Sequence, residues 1–87
     1  MRQIVEDCIA EVDQWVSKNP TSSKMYPPKW FLDFKRELMS LADLKPGTPM
    51  LENRLKFITH LQVDSGPLEK DFCPSLVKLT RLARGVR

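Results

Sequence analysis

Residues 3–18 read QIVEDCIAEVDQWVSK, and this stretch decides the fold class. Its apolar residues recur every three or four positions, the spacing that places side chains on one face of an α-helix. They are Ile4, Val5, Cys8, Ile9, Val12, Trp15 and Val16. Asn19-Pro20 ends the pattern, because the residue before a proline avoids the helical region. The sequence therefore predicts a first helix over 3–18 with one side in a core.

Three more segments repeat this helical period. We predict further helices at 28–43, 49–62 and 74–84. The stretch 19–27 is rich in helix breakers and is predicted to be a loop. No segment alternates apolar and polar residues for long enough to indicate a strand. We therefore expect an all-α fold, a small irregular four-helix bundle with no sheet, formed by residues 1–87 as a single domain.

Prolines, glycines and a threonine mark the helix ends. Pro28 and Pro49 suit first helical positions, because the proline ring already holds the required φ. Thr48 suits the N-cap in front of Pro49. Gly47 follows Pro46 in a predicted turn, and Gly85 is predicted to cap the last helix. These residues predict where the elements begin and end.

The apolar faces of the four helices predict one common core. On each predicted helix the chosen residues lie on the main apolar arc. We expect the following residues to meet in a single cluster: Val5, Cys8, Val12, Trp15, Phe34, Leu38, Leu51, Ile58, Leu76 and Leu79.

Composition narrows the classes of protein that this chain can be. It has 87 residues, 41% of them hydrophobic, and a formal net charge of +3. The apolar content suffices for a small core, and the charge is far below that of a histone-like protein. The first residues do not show the basic region followed by an apolar run that is typical of a secretory signal. No apolar run reaches the roughly 20 residues needed to span a bilayer. We expect an intracellular, cytoplasmic protein whose Cys8 and Cys73 stay reduced, with no membrane contact.

Motifs for catalysis, metals and cofactors do not occur. The single histidine, His60, lies on the polar side of its predicted helix, where a solvated side chain is expected. A nucleophile–base pair would need the fold to bring a cysteine to it. Neither C-x-x-C nor H-x-x-x-H occurs, and no glycine-rich phosphate loop is present. We expect a protein that is not an enzyme and binds no cofactor or metal.

Positive charge collects near the C-terminus. Lys78, Arg81 and Arg84 follow one another at three-residue spacing on one helix face, and Arg87 comes next. Such a face could contact a DNA or RNA phosphate backbone. The interpretations that we favour are a solvated face that complements the helix C-terminus and an attraction to the acidic first helix within the fold. Lys24 and Lys29, which flank aromatic residues, are the further candidates for contacts with nucleic acid.

Apolar residues outside the predicted core are candidates for contacts with a partner. Leu32 and Met39 lie off the main apolar face of their helix, so either that helix is buried on two sides or the two residues face a partner. Tyr26 and Trp30 lie in a proline-rich segment that could present a partner surface or anchor the core. Arg54 interrupts the apolar stripe of the third long helix. It could reach solvent, pair with an acid of the first helix, or contact a ligand.

These features favour a binding protein. The leading interpretation is a small adaptor or regulatory subunit that docks on a larger protein or nucleoprotein assembly. A second copy of the chain is a further candidate partner, which would give a homodimer. The alternative is a protein that binds DNA or RNA without sequence preference through its basic C-terminal helix.

Overall fold

A computed structural model describes residues 2–67 and 69–83. It contains α1 (Arg2–Lys18), α2 (Pro20–Ser23), α3 (Pro28–Met39), α4 (Pro49–Ser65) and α5 (Ser75–Ala83). No strand occurs within the described residues. The all-α fold of four main helices is therefore confirmed. None of the helices in this part of the chain is both long and apolar enough to cross a lipid bilayer.

Two helix ends differ from the predicted ones. α3 ends at Met39 and not at residue 43, because the following backbone tightens into turns. In these turns the N–H of Leu41 donates to the carbonyl of Leu38 at 3.0 Å, and that of Leu44 to Leu41 at 3.1 Å. α4 runs to Ser65 instead of 62, into the predicted turn. There the N–H of Gly66 still reaches a carbonyl one helical turn back, at 2.8 Å.

The loop prediction and the last helix also need correction. The predicted loop at 19–27 contains the short helix α2, which begins at Pro20 directly after α1. The last helix begins at Ser75 and not at residue 74, since Pro74 lies in the turn before it. Its predicted end at Arg84 and the cap at Gly85 lie outside the described residues.

The predicted start of α4 is confirmed. The Thr48 hydroxyl accepts a hydrogen bond from the N–H of Leu51 at 3.4 Å, and Pro49 occupies the first turn. The preceding turn needs a glycine, because Gly47 has φ +79°, a left-handed conformation that other residues rarely adopt. A polar cap and one glycine thus set the direction in which α4 leaves α3.

The four long helices form a ring. α1 packs against α3 and α5, and α4 packs against the same two helices from the other side. Within the described residues no Cα atom of α1 lies within 8 Å of one in α4, and the same holds for α3 and α5. Each helix therefore has two neighbours and one outward side, which decides which side chains can reach a partner.

The predicted core is confirmed, since all ten of its residues belong to one buried cluster. The cluster also contains Phe31, Leu41, Leu55, Phe72, Cys73 and Ala83. Phe72 and Cys73 come from the irregular chain between α4 and α5, where no helical period could reveal them. The core is thus closed by a segment whose role periodicity does not predict.

Aromatic rings occupy the middle of the core. The indole of Trp30 stacks on Phe34, with ring centres 5.0 Å apart and planes 11° apart, and Trp15 meets Phe72 edge to face at 5.3 Å. Of the seven aromatic residues, six take part in these ring contacts: Trp15, Tyr26, Trp30, Phe31, Phe34 and Phe72. The seventh, Phe57, is exposed.

Trp30 also joins α3 to the end of α4. Its indole N–H donates to the hydroxyl of Ser65 at 2.8 Å. The ring lies so close to Gly66 that a Cβ at this position would overlap it. The glycine is therefore required here for close packing, while its own backbone conformation is available to any residue.

A carboxylate of α1 caps α5. The oxygens of Glu11 accept hydrogen bonds from the N–H of Ser75 at 2.9 Å and from its hydroxyl at 2.6 Å. A negative group at a helix N-terminus satisfies a free N–H and complements the helix dipole. The helical period places Glu11 on the polar side of α1, where a solvated side chain is expected, and for Glu11 this expectation is wrong.

The ion pairs of α1 do not involve α5. Arg2 pairs with Asp43 at 3.4 Å, and Asp13 pairs with Lys35 of α3 at 2.8 Å. Among the described residues no acid of α1 pairs with Lys78 or Arg81. Beside the apolar packing of the two helices, the polar contact between α1 and α5 is thus the Glu11 cap and not a salt bridge.

Replacing Leu38 with alanine tests the core assignment. Leu38 is fully buried, so Leu38→Ala should lower the free energy of unfolding by about 2–5 kcal/mol through lost burial and a cavity. Leu32→Ala on the same helix removes the same atoms from an exposed position and should change it by less than about 0.5 kcal/mol. Urea unfolding measures both. Equal losses would show that the faces of α3 are wrongly assigned.

Candidate functional site

α4 carries apolar residues on two sides. Leu51, Leu55 and Ile58 point into the core. A second line runs along the helix at the i, i+4, i+7, i+11 spacing that places residues on one face. It consists of Met50, Arg54, Phe57 and Leu61. The helical period also predicts inward positions for Met50 and Leu61. Met50 is exposed, so the prediction is wrong for it, whereas Leu61 packs partly against the core.

The second line of α4 borders a groove beside α3. Phe57, which is 57% exposed, and Leu61 form the apolar part of this groove. α3 supplies a charged wall, and the hollow has a volume of about 380 Å³. We call it the docking groove and define it by six residues: Lys29, Asp33, Arg36, Glu37, Phe57 and Leu61.

The wall of the docking groove is electrically balanced. It holds two cations and two acids, and the guanidinium of Arg36 lies 3.7 Å from the carboxylate of Asp33. An exposed pair of this kind adds little to stability, since solvent screens it. The groove therefore offers an apolar floor with hydrogen-bonding groups of both signs beside it. This composition suits a peptide segment with apolar and polar side chains better than a polyanion.

Leu32 and Met39 flank the docking groove on α3. They are 58% and 45% exposed, so the interpretation that α3 is buried on two sides was wrong. Each lies one helical turn from Arg36, which is part of the groove wall. Their contact with a partner stays a prediction.

Tyr26 and Trp30 lie elsewhere. Both are half-buried and belong to the aromatic cluster, where their ring centres are 6.2 Å apart. Their visible role is to pack α3 onto the rest of the fold. A partner contact by these two residues remains a prediction on which the function proposed below does not depend.

The basic residues lie on more than one side of the bundle. Lys78 and Arg81 are exposed on α5, and Arg84 and Arg87 lie outside the described residues. Lys24 and Lys29 are also exposed, and Lys29 belongs to α3. Because α3 and α5 do not pack against each other, Lys29 and the pair on α5 do not form one continuous face.

His60 and Arg54 are both exposed on α4. Within the described residues His60 makes no hydrogen bond, and Arg54 forms no ion pair, so its predicted pairing with α1 is not seen. Arg54 instead interrupts the outward line of α4. No nucleophile–base pair is held in place by hydrogen bonds in this part of the chain.

The two cysteines meet inside the fold. Both are free and buried, and the Sγ of Cys73 donates to the backbone carbonyl of Cys8 at 3.7 Å. The neighbouring thiol of Cys73 and the burial of the site raise the pKa of Cys8 far above its ordinary value. Cys8 is therefore a neutral thiol at physiological pH and a poor nucleophile.

Phe57 is not among the residues that the sequence predicted to contact a partner. The available signal was a large aromatic residue off the inward arc of its helix, which is the same signal that singled out Leu32 and Met39. Arg54, noted as out of place in the inward stripe, belongs to the same outward line. Because both sides of α4 carry apolar residues, the sequence did not distinguish the outward line from the inward one.

Comparison with known proteins does not identify the chain. No protein-family model, curated protein or solved structure matches it.

Proposed function

We propose that the protein is a small, non-enzymatic adaptor that docks on a larger protein or nucleoprotein assembly through the docking groove. The observation that carries this proposal is the exposure of Phe57, the one aromatic residue outside the core cluster. Exposed apolar side chains grouped in a groove mark interaction sites, and aromatic anchors contribute much of the energy of protein interfaces. The two free, buried cysteines suit a reducing, cytoplasmic setting.

The charges of the groove favour a protein partner. Asp33 and Glu37 stand beside Phe57 and Leu61, and two carboxylates at this position would repel phosphate groups. A segment of a partner protein with an apolar anchor and mixed charges fits both the floor and the wall. A second copy of this chain is the other occupant to be tested.

Replacing Phe57 with glutamate tests the groove. The chain should be purified with its natural partners, with and without nuclease, and the partners identified by mass spectrometry. We expect Phe57→Glu to lose a partner that wild type retains after nuclease treatment, because the anchor is gone and a charge replaces it.

Val63 provides the matched control. It lies on the same helix and is 59% exposed, but it is not part of the docking groove. Val63→Glu should keep the partner. Loss of the partner in both variants, or in neither, would contradict the proposal. Sedimentation equilibrium of the purified wild type and Phe57→Glu tests the homodimer. If the groove binds a second copy, wild type should associate and Phe57→Glu should stay monomeric.

Nucleic-acid binding is the second candidate function. It is favoured by the exposure of Lys78 and Arg81 on a helix without an acidic residue. Such binding depends on neutralising phosphates and therefore weakens steeply with salt. The net charge of only +3 and the division of the cations between sides of the bundle weigh against it.

A salt titration separates the two candidates. We expect at most weak binding to generic duplex DNA at low salt. If Lys78 and Arg81 each neutralise one phosphate, changing both to glutamine should flatten the slope of log affinity against log salt by about 1.8. The control changes Lys56 and Arg54 of α4 to glutamine, which also removes one lysine and one arginine. Tight binding with an unchanged control slope would replace the adaptor proposal by the alternative.

A further inference from the structure

We propose that Cys8, Glu11 and Cys73 form a binding site for Zn²⁺. The two sulfur atoms and one carboxylate oxygen of Glu11 all lie within 4.8 Å of one another. Tetrahedral zinc holds its sulfur and oxygen ligands about 3.6–3.8 Å apart, as follows from bond lengths of about 2.3 Å and 2.0–2.2 Å. Shifts of roughly 1 Å would therefore close the site around an ion.

The fold assembles these ligands from distant parts of the chain. Cys8 and Glu11 are one helical turn apart on α1, so they point to the same side. Cys73 comes from the irregular segment before α5, where Phe72 is fixed in the aromatic core. The sequence lacks the short ligand spacings of common zinc sites, and the packing of α5 on α1 supplies the proximity instead.

The existing hydrogen bonds are compatible with an ion. Each oxygen of Glu11 already accepts one hydrogen bond from Ser75, and a carboxylate oxygen retains a second lone pair. Coordination therefore need not remove the cap of α5. Each thiol would release its proton to solvent on binding, and Cys73 would give up its hydrogen bond to the Cys8 carbonyl.

Charge and softness select the ion. Two thiolates, one carboxylate and Zn²⁺ leave one net negative charge, which lies at the positive N-terminal end of α5. Sulfur ligands favour zinc over Mg²⁺ and Ca²⁺, which prefer oxygen. Three protein ligands leave a fourth position for water, as in zinc sites that are not fully closed.

The site can be reached from solvent through Cys73. Cys8 is fully buried, but Cys73 is 7% exposed and lines a hollow of about 440 Å³ between α4 and α5. Glu11 is partly exposed and lines a separate hollow of about 260 Å³, so an ion can meet Cys73 or Glu11 first and pass inward to Cys8. The hollow at Cys73 lies on another side of α4 from the docking groove, so the two sites are independent.

Cobalt titration tests the site. The full chain, kept reduced with a phosphine, should bind one Co²⁺ and show thiolate-to-cobalt charge-transfer absorption, which Zn²⁺ should abolish by displacement. Cys73→Ser should eliminate this absorption. Glu11→Gln keeps an oxygen for Ser75 but removes the charge, and should weaken binding at least about tenfold. Glu6→Gln, an exposed acid of the same helix, should bind like wild type.

A second measurement uses the wild-type chain, so that the proposal can still be tested if a variant does not fold. Zn²⁺ should slow the alkylation of Cys73 by a maleimide, followed by peptide mass spectrometry, and Mg²⁺ should have no effect. Absence of charge-transfer absorption, absence of protection, or equal binding by a folded Cys73→Ser variant would each overturn the proposal.

Discussion

The contact of Trp30 with Phe34 and Gly66 holds α3 against the end of α4, and the docking groove depends on it. The indole stacks on Phe34 within α3 and is tied by a hydrogen bond to Ser65 at the end of α4. Its close approach leaves no room for a side chain on Gly66. Because α3 and α4 form the two sides of the groove, one aromatic residue fixes the distance between the charged wall and the apolar floor.

This arrangement explains why Phe57 faces outward. A chain of 87 residues has a small core, and the inner side of α4 is already filled by Leu51, Leu55 and Ile58. The ring positions around Trp30 are taken by Tyr26, by Phe31 and Phe34 of α3, and by Phe72 of the segment before α5. An aromatic residue on the outward line of α4 therefore contributes little to folding. Its position beside a mixed-charge wall is what a binding role would require.

Much of the fold follows from local rules. The 3.6-residue period predicted four helices and a correct core, and prolines marked the starts of α3 and α4. The predicted ends of α3 and α4 were wrong because tertiary packing decides whether the last turn of a helix continues. At α4 it continues, since Trp30 binds Ser65 and stabilises the final turn. At α3 the backbone tightens after Met39 so that Leu41 stays buried.

Some of the features on which the proposals rest were harder to predict because they depend on contacts between distant segments. Leu32 and Met39 were recognised from their position on one helix alone. The pairing of Cys8 with Cys73, and of Glu11 with Ser75, spans more than sixty residues and follows no local pattern. Phe57 lies off the inward side of α4, just as Leu32 lies off the main apolar face of α3. The same reasoning could have found it if the outward line of α4 had been distinguished from the inward residues.

The central claim is that the aromatic residues divide into a structural cluster of six and one exposed residue, Phe57. The most direct test is the free energy of unfolding of Phe57→Ser, measured in urea beside Phe34→Ser. The account predicts a change below about 0.5 kcal/mol at Phe57, as at other exposed positions. At buried Phe34 it predicts a loss of about 3–5 kcal/mol. A loss at Phe57 as large as that at Phe34 would contradict the account, because it would place Phe57 in the core.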